Sequence, residues 1–193
     1  MTSNHLSNGW RFWGAWGLAF LGFPLGGLAS IGLIGGVESI LDGAIGGATC
    51  GAVLGGVQWL VLRRRLSLSR SWIVVTSLGM AGGLALGVAL FGTSTVGSVL
   101  LLRGVSTGLV IGLAQWVVLR GSVPRAWVWV PTVAAGWALA WAVSRAIGLD
   151  LTPNFALFGA SGALAFQALT GLVLAWLLSQ RAATPGPAEM QPV

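Results

Sequence analysis

The chain has few of the side chains with which proteins usually perform chemistry. Its 193 residues include no lysine, one cysteine, one histidine and four acidic residues. Because Cys50 is the only cysteine, an intrachain disulfide and a thiolate metal site are both excluded, and we interpret Cys50 as a packing residue. His5 precedes the first apolar stretch, which excludes histidine ligation of haem or chlorophyll within a membrane. The absence of lysine excludes a retinal Schiff base.

The remaining polar groups form no recognisable catalytic pattern. No acidic residue lies near the middle of an apolar stretch, so a carboxylate proton relay has no candidate. Serine and threonine occur in these stretches, but none has a neighbouring base in the sequence, which a nucleophile requires. A phosphate-binding loop and paired carboxylates at metal-ligand spacing are also missing from the sequence. We therefore expect a protein that is not an enzyme, with no catalytic residue, no metal site and no cofactor.

Apolar residues, glycine and arginine dominate the composition instead. Hydrophobic residues make up 55% of the chain and charged residues 7%, whereas soluble domains average about 25% charged. A chain with so little polar surface requires lipid as its solvent. The net charge of +6 comes from ten arginines, which flank apolar stretches and do not form a patch with interleaved polar residues. This distribution is typical of membrane topology signals and argues against nucleic acid as a partner.

Six apolar stretches have roughly the 20 residues that a helix needs to cross a bilayer. They are Phe12–Ile34, Ile40–Leu62, Trp72–Gly92, Val99–Leu119, Ala126–Ile147 and Ala156–Leu178. The connections between them are short, which leaves no room for a soluble domain. The sequence therefore predicts an all-α polytopic membrane domain of six transmembrane helices over residues 1–181, followed by a disordered tail over residues 182–193.

One phrase occurs twice, as Gly47–Arg63 and Gly104–Arg120. Each copy reads Gly-x-x-x-Gly-x-x-x-Gly-x-x-Gln-Trp-x-Val-Leu-Arg. The odd-numbered stretches open with Arg-x-Trp, at residues 11–13, 70–72 and 125–127. The pattern predicts three consecutive helical hairpins, at about 9–65, 66–121 and 122–181. The third is degenerate, because Ala175 stands where the glutamine is expected.

The repeated phrase resembles sequences of uncharacterised small bacterial multi-pass membrane proteins. The resemblance covers roughly residues 9–181 and is complete only in the second and fourth stretches. It implies a location in the bacterial inner membrane, and it implies no activity.

The charges predict which side of the membrane each end of the helices faces. Eight arginines lie at one end: Arg11, Arg63, Arg64, Arg65, Arg70, Arg120, Arg125 and Arg181. The acidic residues Glu38, Asp42 and Asp150 lie at the other end. Because arginine is enriched in cytoplasmic loops, we expect the arginine-bearing ends and both termini to face the cytoplasm.

The glutamines of the repeated phrase are the first candidate site. On a helix, the glycines and the glutamine of each copy lie within about 80° of arc, so Gln58 and Gln115 point toward other helices. Two interpretations are open. Each amide bonds to a neighbouring helix and fixes its register, or the two amides, with Gln167, line a polar vestibule for a ligand or water.

Tryptophans provide the second candidate site. Nine of the eleven lie near the arginine-bearing ends, where we expect them to anchor the protein in the membrane interface: Trp10, Trp13, Trp16, Trp59, Trp72, Trp116, Trp127, Trp129 and Trp176. Trp137 and Trp141 lie deeper, and Arg145 shares their helical ridge. This ridge either fills a glycine groove on a neighbouring helix or forms an aromatic wall for a lipid tail, quinone or pigment.

Charges at the opposite end form the third candidate. Glu38, Asp42, Arg103 and Asp150, with Arg145 nearby, lie close to the ends of apolar stretches. Because charges just inside a membrane tend to pair, we predict an outer ion cluster. Such a cluster either ties the hairpins together or binds a substrate.

These observations favour a non-catalytic structural or accessory subunit of a membrane assembly. Its expected partners are the lipid bilayer and other membrane subunits or a second copy of itself. A rival hypothesis is a small transporter or channel with a path lined by Gln58, Gln115, Gln167, Thr49, Thr107 and Thr170. A third is the binding of a lipid, quinone or pigment against Trp137 and Trp141.

Overall fold

The computed structural model of the chain describes residues 12–66, 68–94, 97–147 and 155–182. These segments form six long helices, numbered α1 to α6, at Phe12–Ile34, Ile40–Leu62, Ser71–Phe91, Gly97–Leu119, Ala126–Ala146 and Phe155–Ala182. All six are long and apolar enough to cross a membrane, so the prediction of an all-α fold with six candidate membrane spans is confirmed for the described residues. Asp150 and the predicted tail beyond Ala182 lie outside the described residues.

Local sequence explains where several helices begin and end. Ser39 is the N-cap of α2, and its hydroxyl oxygen accepts the backbone N–H of Asp42 at 3.1 Å. Helices α1 and α3 end at Gly35 and Gly92, whose φ angles of 73° and 71° lie in the left-handed region that favours glycine. Short polar and glycine-rich segments thus separate helices that are mostly apolar.

Two of the helices contain a proline without being broken by it. In α1 a 3₁₀ segment at Ala19–Leu21 precedes Pro24, and in α5 a 3₁₀ segment at Ala126–Val128 precedes Pro131. Each proline is the third residue of the α-helical part that follows. In a first helical turn the missing N–H removes no α-helical hydrogen bond, so both spans continue past their prolines.

The six helices form a closed ring. Each helix packs against the next in the chain, and α1 packs against α6. Aromatic side chains fill the interior, where the rings of Phe23 and Trp137 lie 5.8 Å apart and those of Trp72 and Trp129 lie 6.3 Å apart. Large aliphatic side chains point outward and are more than half exposed, among them Leu18, Leu25, Leu78, Leu90 and Leu172. We expect this outer surface to contact lipid.

The arginine-bearing helix ends meet on one side of the ring. The guanidinium of Arg65, just after α2, lies 5.8 Å from the ring of Phe12 at the start of α1. The guanidinium of Arg125, just before α5, lies 6.0 Å from the ring of Trp176 near the end of α6. We call this side the arginine end, and the side that carries Glu38 and Asp42 the acidic end. That the arginine end faces the cytoplasm stays a prediction.

Candidate functional site

The repeated phrase places glycines of one helix directly against the backbone of the next. A Cβ atom on Gly47 of α2 would lie 2.5 Å from a backbone atom of α3, and one on Gly51 would lie 2.8 Å from Cα of Ser77. In α4 a Cβ atom on Gly108 would lie 2.6 Å from Cα of Ala134 in α5. Only glycine permits these approaches. The glycine faces are therefore interfaces, and each joins an even-numbered helix to the odd-numbered helix that follows.

The two glutamines of the phrase lie side by side inside the ring. Gln58 is 1% exposed and Gln115 is 2% exposed. Nε2 of Gln115 lies 3.5 Å from Oε1 of Gln58 and donates to Oγ1 of Thr76 at 2.9 Å. The hydroxyl of Thr76 in turn donates to the backbone carbonyl oxygen of Trp72 at 2.7 Å. These bonds connect α2, α3 and α4 through side chains that lipid does not reach.

Two buried indoles complete this network. Trp72 donates its N–H to Oε1 of Gln58 at 3.3 Å, and Trp129 donates its N–H to Oε1 of Gln115 at 2.9 Å. In both pairs the tryptophan follows the glutamine by 14 residues. The same contact therefore joins α2 to α3 and α4 to α5. Both amide oxygens receive a donor, so the network is a packing element with its acceptors satisfied.

The expectation that Trp16, Trp72 and Trp129 anchor the protein in the membrane interface is wrong. All three are among the largest fully buried side chains of the protein. The physical reason is that a buried amide or hydroxyl oxygen needs a donor, and an indole supplies one N–H on a large apolar body. Trp127, which is 63% exposed at the arginine end, does have the exposure expected of an anchor.

Gln167 does not join the other two glutamines. Its Nε2 donates to the backbone carbonyl oxygen of Trp16 at 3.0 Å, and the indole of Trp16 donates to Oγ1 of Thr170 at 3.3 Å. A Cβ atom on Gly171 would lie 2.7 Å from the same indole. These contacts join α6 to α1 and close the ring. The three predicted amides therefore form two separate sites: a shared network at Gln58 and Gln115, and a ring-closing contact at Gln167.

A small apolar cavity lies within the ring, lined by residues of every helix except α4. Its volume is about 40 Å³, and its lining includes Phe23, Cys50, Trp137 and Phe166. The indole of Trp137 is 7% exposed, and its Nε1 has no hydrogen-bond partner within the part of the chain that the structure describes. Cys50 is 2% exposed and packs against α1, where a Cβ atom on Gly26 would lie 2.9 Å from its Sγ. The interpretation of Cys50 as a packing residue is consistent with this position.

The predicted ridge of Trp137, Trp141 and Arg145 divides between two environments. Both tryptophans line the cavity. Trp141 also covers α4, where a Cβ atom on Gly104 would lie 2.6 Å from its Cδ1. Arg145 is exposed toward the acidic end, next to Gly97. Trp137 also lies against α4, where a Cβ atom on Gly108 would lie 3.0 Å from its Cβ atom. The groove-filling interpretation therefore fits both tryptophans, and a cavity of about 40 Å³ leaves room for only a small part of a ligand.

Two residues of the predicted outer ion cluster, Asp42 and Arg103, take local partners. Oδ2 of Asp42 accepts the hydroxyl of Ser39 at 2.8 Å and the backbone N–H of Glu38 at 3.2 Å. Arg103 donates from Nη1 to the backbone carbonyl oxygen of Ser94 at 3.3 Å. A carboxylate at a helix N-terminus accepts nearby N–H groups and is favoured by the helix dipole. Asp42 thus caps α2 within its own loop instead of tying hairpins together.

Sequence reasoning missed Thr76, the hydroxyl partner of Gln115, and it named Thr170 only as a lining residue of a polar path and not as the partner of Trp16. The Arg-x-Trp pattern also makes Trp127 the equivalent of Trp72 in the next repeat. In the structure the equivalent residue is Trp129. The 14-residue separation of Gln58 from Trp72 recurs between Gln115 and Trp129, and this regular spacing was the signal available in the sequence.

The chemistry available in these sites is hydrogen bonding and apolar contact. Within the described segments, no three His, Cys, Asp or Glu side chains are grouped so that they could hold a metal ion. Comparison of the chain with protein-family models, curated proteins and solved structures finds no match.

Proposed function

We propose that the protein is a non-catalytic structural or accessory subunit of a membrane assembly, built from three hairpin repeats in a bacterial inner membrane. We place the arginine end and both termini in the cytoplasm. The observation that supports this proposal most directly is the hydrogen-bonded network at Gln58 and Gln115. The amides that offered the best candidates for binding a solute are bonded to Thr76, Trp72 and Trp129 of the same chain.

Other hydroxyl groups within the spans are used in the same way. Ser30, Ser77 and Thr107 donate to backbone carbonyl oxygens of a neighbouring helix at 2.8, 2.7 and 3.1 Å. A channel or transporter needs polar groups that are free to replace the hydration of its cargo. Polar groups that already bond helix to helix supply rigidity instead, which a scaffold for other subunits requires.

The experiment that tests this proposal is cross-linking in native membranes followed by purification in mild detergent. We expect the chain to migrate with a second membrane protein, or with further copies of itself, at a fixed ratio. A single uncross-linked chain at native expression levels would contradict the proposal. The rival hypothesis of a small transporter or channel predicts that the protein carries a solute into liposomes. If Gln58→Leu with Gln115→Leu abolishes this flux and Trp127→Phe does not, the rival hypothesis replaces the proposal.

A second candidate function is the binding of an apolar ligand that carries one hydrogen-bond acceptor. Trp137 favours it, because its buried indole N–H points into an apolar environment without a partner in the described chain. A volume of about 40 Å³ admits only a small group, such as a carbonyl or a chain end, since a single water molecule already needs about 10–15 Å³ of such volume. The larger part of such a ligand would have to lie between helices.

This second function predicts a ligand that co-purifies with the protein. We expect Trp137→Phe to reduce its amount in organic extracts, because phenylalanine keeps the apolar ring and removes the N–H. Trp127→Phe is the matched control, since Trp127 is exposed on the outer surface. Equal ligand content in both variants would contradict the second function and leave the first one standing.

A further inference from the structure

The apolar cavity inside the ring is walled by helices that contact each other closely. On the α1 side, a Cβ atom on Gly26 would lie 2.9 Å from the backbone carbonyl oxygen of Cys50. On the α3 side, a Cβ atom on Gly47 would lie 2.5 Å from the backbone carbonyl oxygen of Met80. Cys50 and Met80 both line the cavity. The contacts between α1, α2 and α3 therefore close the wall at the depth of the cavity itself.

The wall formed by α5, α6 and α1 is closed at the same depth. Gly162 of α6 packs against the backbone carbonyl oxygen of Ala140 in α5, and both residues line the cavity. Between α6 and α1, the rings of Phe166 and Phe23 meet edge to face at 5.4 Å and line the cavity as well. Helix α4 is joined to α3 and to α5 by glycine contacts of the same kind. A long lipid chain would therefore have to separate helices in order to reach the interior.

The size of the cavity limits the molecules that can lie wholly inside it. Its volume is about 40 Å³, whereas a protein cavity that holds benzene measures about 150 Å³. A quinone or pigment ring is therefore too large for the space between these walls. A molecule of two or three heavy atoms is the right size, because each water-sized sphere needs about 10–15 Å³.

The lining of the cavity is apolar and carries one unpartnered donor. Nε1 of Trp137 has no hydrogen-bond partner among the described residues, and this side chain is 7% exposed. The hydroxyl of Ser144 lies 3.3 Å from that of Ser161. A buried water needs two to four polar partners, so a site with one free N–H holds water poorly. The cavity suits a neutral, apolar molecule that offers one hydrogen-bond acceptor.

We propose that the cavity binds a linear triatomic molecule with a terminal oxygen, the class to which carbon dioxide belongs. One terminal oxygen accepts the indole N–H of Trp137, and the rest of the molecule contacts the apolar walls. Such a molecule dissolves in the bilayer and passes between side chains as they change rotamer, so the helices need not separate. The proposal shares its cavity and its donor with the second candidate function. It differs in the ligand, which lies wholly inside the ring and leaves no trace in organic extracts.

The test is infrared difference spectroscopy of the full chain in detergent, equilibrated with carbon dioxide or with argon. The asymmetric stretch of carbon dioxide lies in a region without protein bands, and its frequency responds to hydrogen bonding. We expect a narrow band that saturates at one molecule per chain, in addition to the broad band of gas dissolved in the micelle. Trp137→Phe should lower the occupancy roughly threefold to tenfold, the effect of one hydrogen bond, and shift the band. The matched control, Trp127→Phe, should leave the narrow band unchanged.

A second variant fills the cavity and keeps the donor. Ala163 lines the cavity and is 3% exposed, so Ala163→Val places two additional methyl groups in or next to this space. We expect it to reduce the narrow band roughly tenfold or more, since the remaining volume no longer admits the molecule. Ala52→Val is the matched control, because Ala52 is exposed on the outside of α2. Circular dichroism checks that both variants keep the helix content of the wild type.

Three results would overturn the proposal. A narrow band of equal strength in the Ala163→Val and Ala52→Val variants would place the gas outside the cavity. A band that Trp137→Phe neither weakens nor shifts would mean that the indole N–H is not the donor. The third result is a wild-type protein without a narrow band. If its organic extract then contains a ligand that Trp137→Phe removes, the second candidate function is correct, and if it contains none, both ligand hypotheses fail.

Discussion

Trp129 donates its indole N–H to Oε1 of Gln115 at 2.9 Å, across the connection between α4 and α5. Trp72 makes the same contact with Gln58 across the connection between α2 and α3. The structural element that recurs is therefore the end of an even-numbered helix, the loop at the arginine end and the start of the next helix. Nε2 of Gln115 also lies 3.5 Å from Oε1 of Gln58, so the two elements contact each other.

The first prediction concerns the buried indole of Trp129. Trp129→Phe keeps an aromatic ring and removes the donor, which leaves Oε1 of Gln115 without that hydrogen bond in a site that is 2% exposed. We expect it to lower the free energy of unfolding by about 1–2 kcal/mol, within the range for hydrogen bonds in membrane bundles. Thermal unfolding in detergent, followed by circular dichroism, measures the change.

Trp127→Phe is the control for this measurement. Trp127 is two residues away and 63% exposed, so its replacement should change stability by less than about 0.5 kcal/mol. If both variants lose the same stability, the loss comes from replacing any tryptophan at the start of α5 and not from removing the bond to Gln115.

The second prediction concerns the glycine faces. Gly108→Ala places a methyl group 2.6 Å from Cα of Ala134, so α4 and α5 must separate. We expect a loss of about 1–3 kcal/mol in the free energy of unfolding, the usual cost of overpacking. Gly56→Ala is the matched variant, because a Cβ atom there has no neighbour within 4 Å. Alanine should be neutral there or stabilising by up to about 1 kcal/mol, since it is the better helix former.

Much of the fold could be predicted from the sequence, because hydropathy indicates which segments can span a membrane and glycine spacing indicates which face of a helix packs closely. The spans Phe12–Ile34 and Ile40–Leu62 agree residue for residue with α1 and α2. The interface role of Gly47 and Gly108 follows from a periodicity that places small residues on one helix face. Each of these properties belongs to a single helix, and a single sequence segment is enough to reveal it.

The partners of the polar side chains could not be predicted in the same way, because they depend on how helices are arranged around the ring. The degenerate third copy suggested only that a glutamine was missing near Ala175. In the structure, Gln167 lies eight residues earlier, about 12 Å along the helix axis, and bonds to Trp16. No sequence pattern links these positions, since they are 151 residues apart and meet only when α6 closes on α1.

The third prediction tests that closure with a double-mutant cycle. Trp16→Phe removes the indole donor, Thr170→Val removes the hydroxyl acceptor, and the double variant removes both. We expect a coupling energy of about 0.6 kcal/mol, the average for such bonds in a membrane bundle, and no more than about 1.7 kcal/mol. The quantity measured is the free energy of unfolding of the four proteins under one detergent condition.

A coupling energy of zero would mean that Trp16 and Thr170 contribute independently, through packing alone. The pair Trp16→Phe with Thr132→Val is the control. The hydroxyl of Thr132 donates to Val128 of its own helix at 2.8 Å, so its removal should add to the Trp16 effect without coupling.

The fourth prediction tests the orientation on which the proposed location depends. In a Cys50→Ala background, Ser69→Cys places a thiol in the loop at the arginine end, and Thr93→Cys places one in the loop at the opposite end. Both positions are exposed, whereas Cys50 is 2% exposed. Because arginine-rich loops are retained on the cytoplasmic side, a membrane-impermeant maleimide added to intact cells should label the Thr93→Cys variant and not the Ser69→Cys variant. After the cells are opened, both should react. Labelling of only the Ser69→Cys variant in intact cells would mean that the arginine end faces outward, which would contradict the proposed orientation.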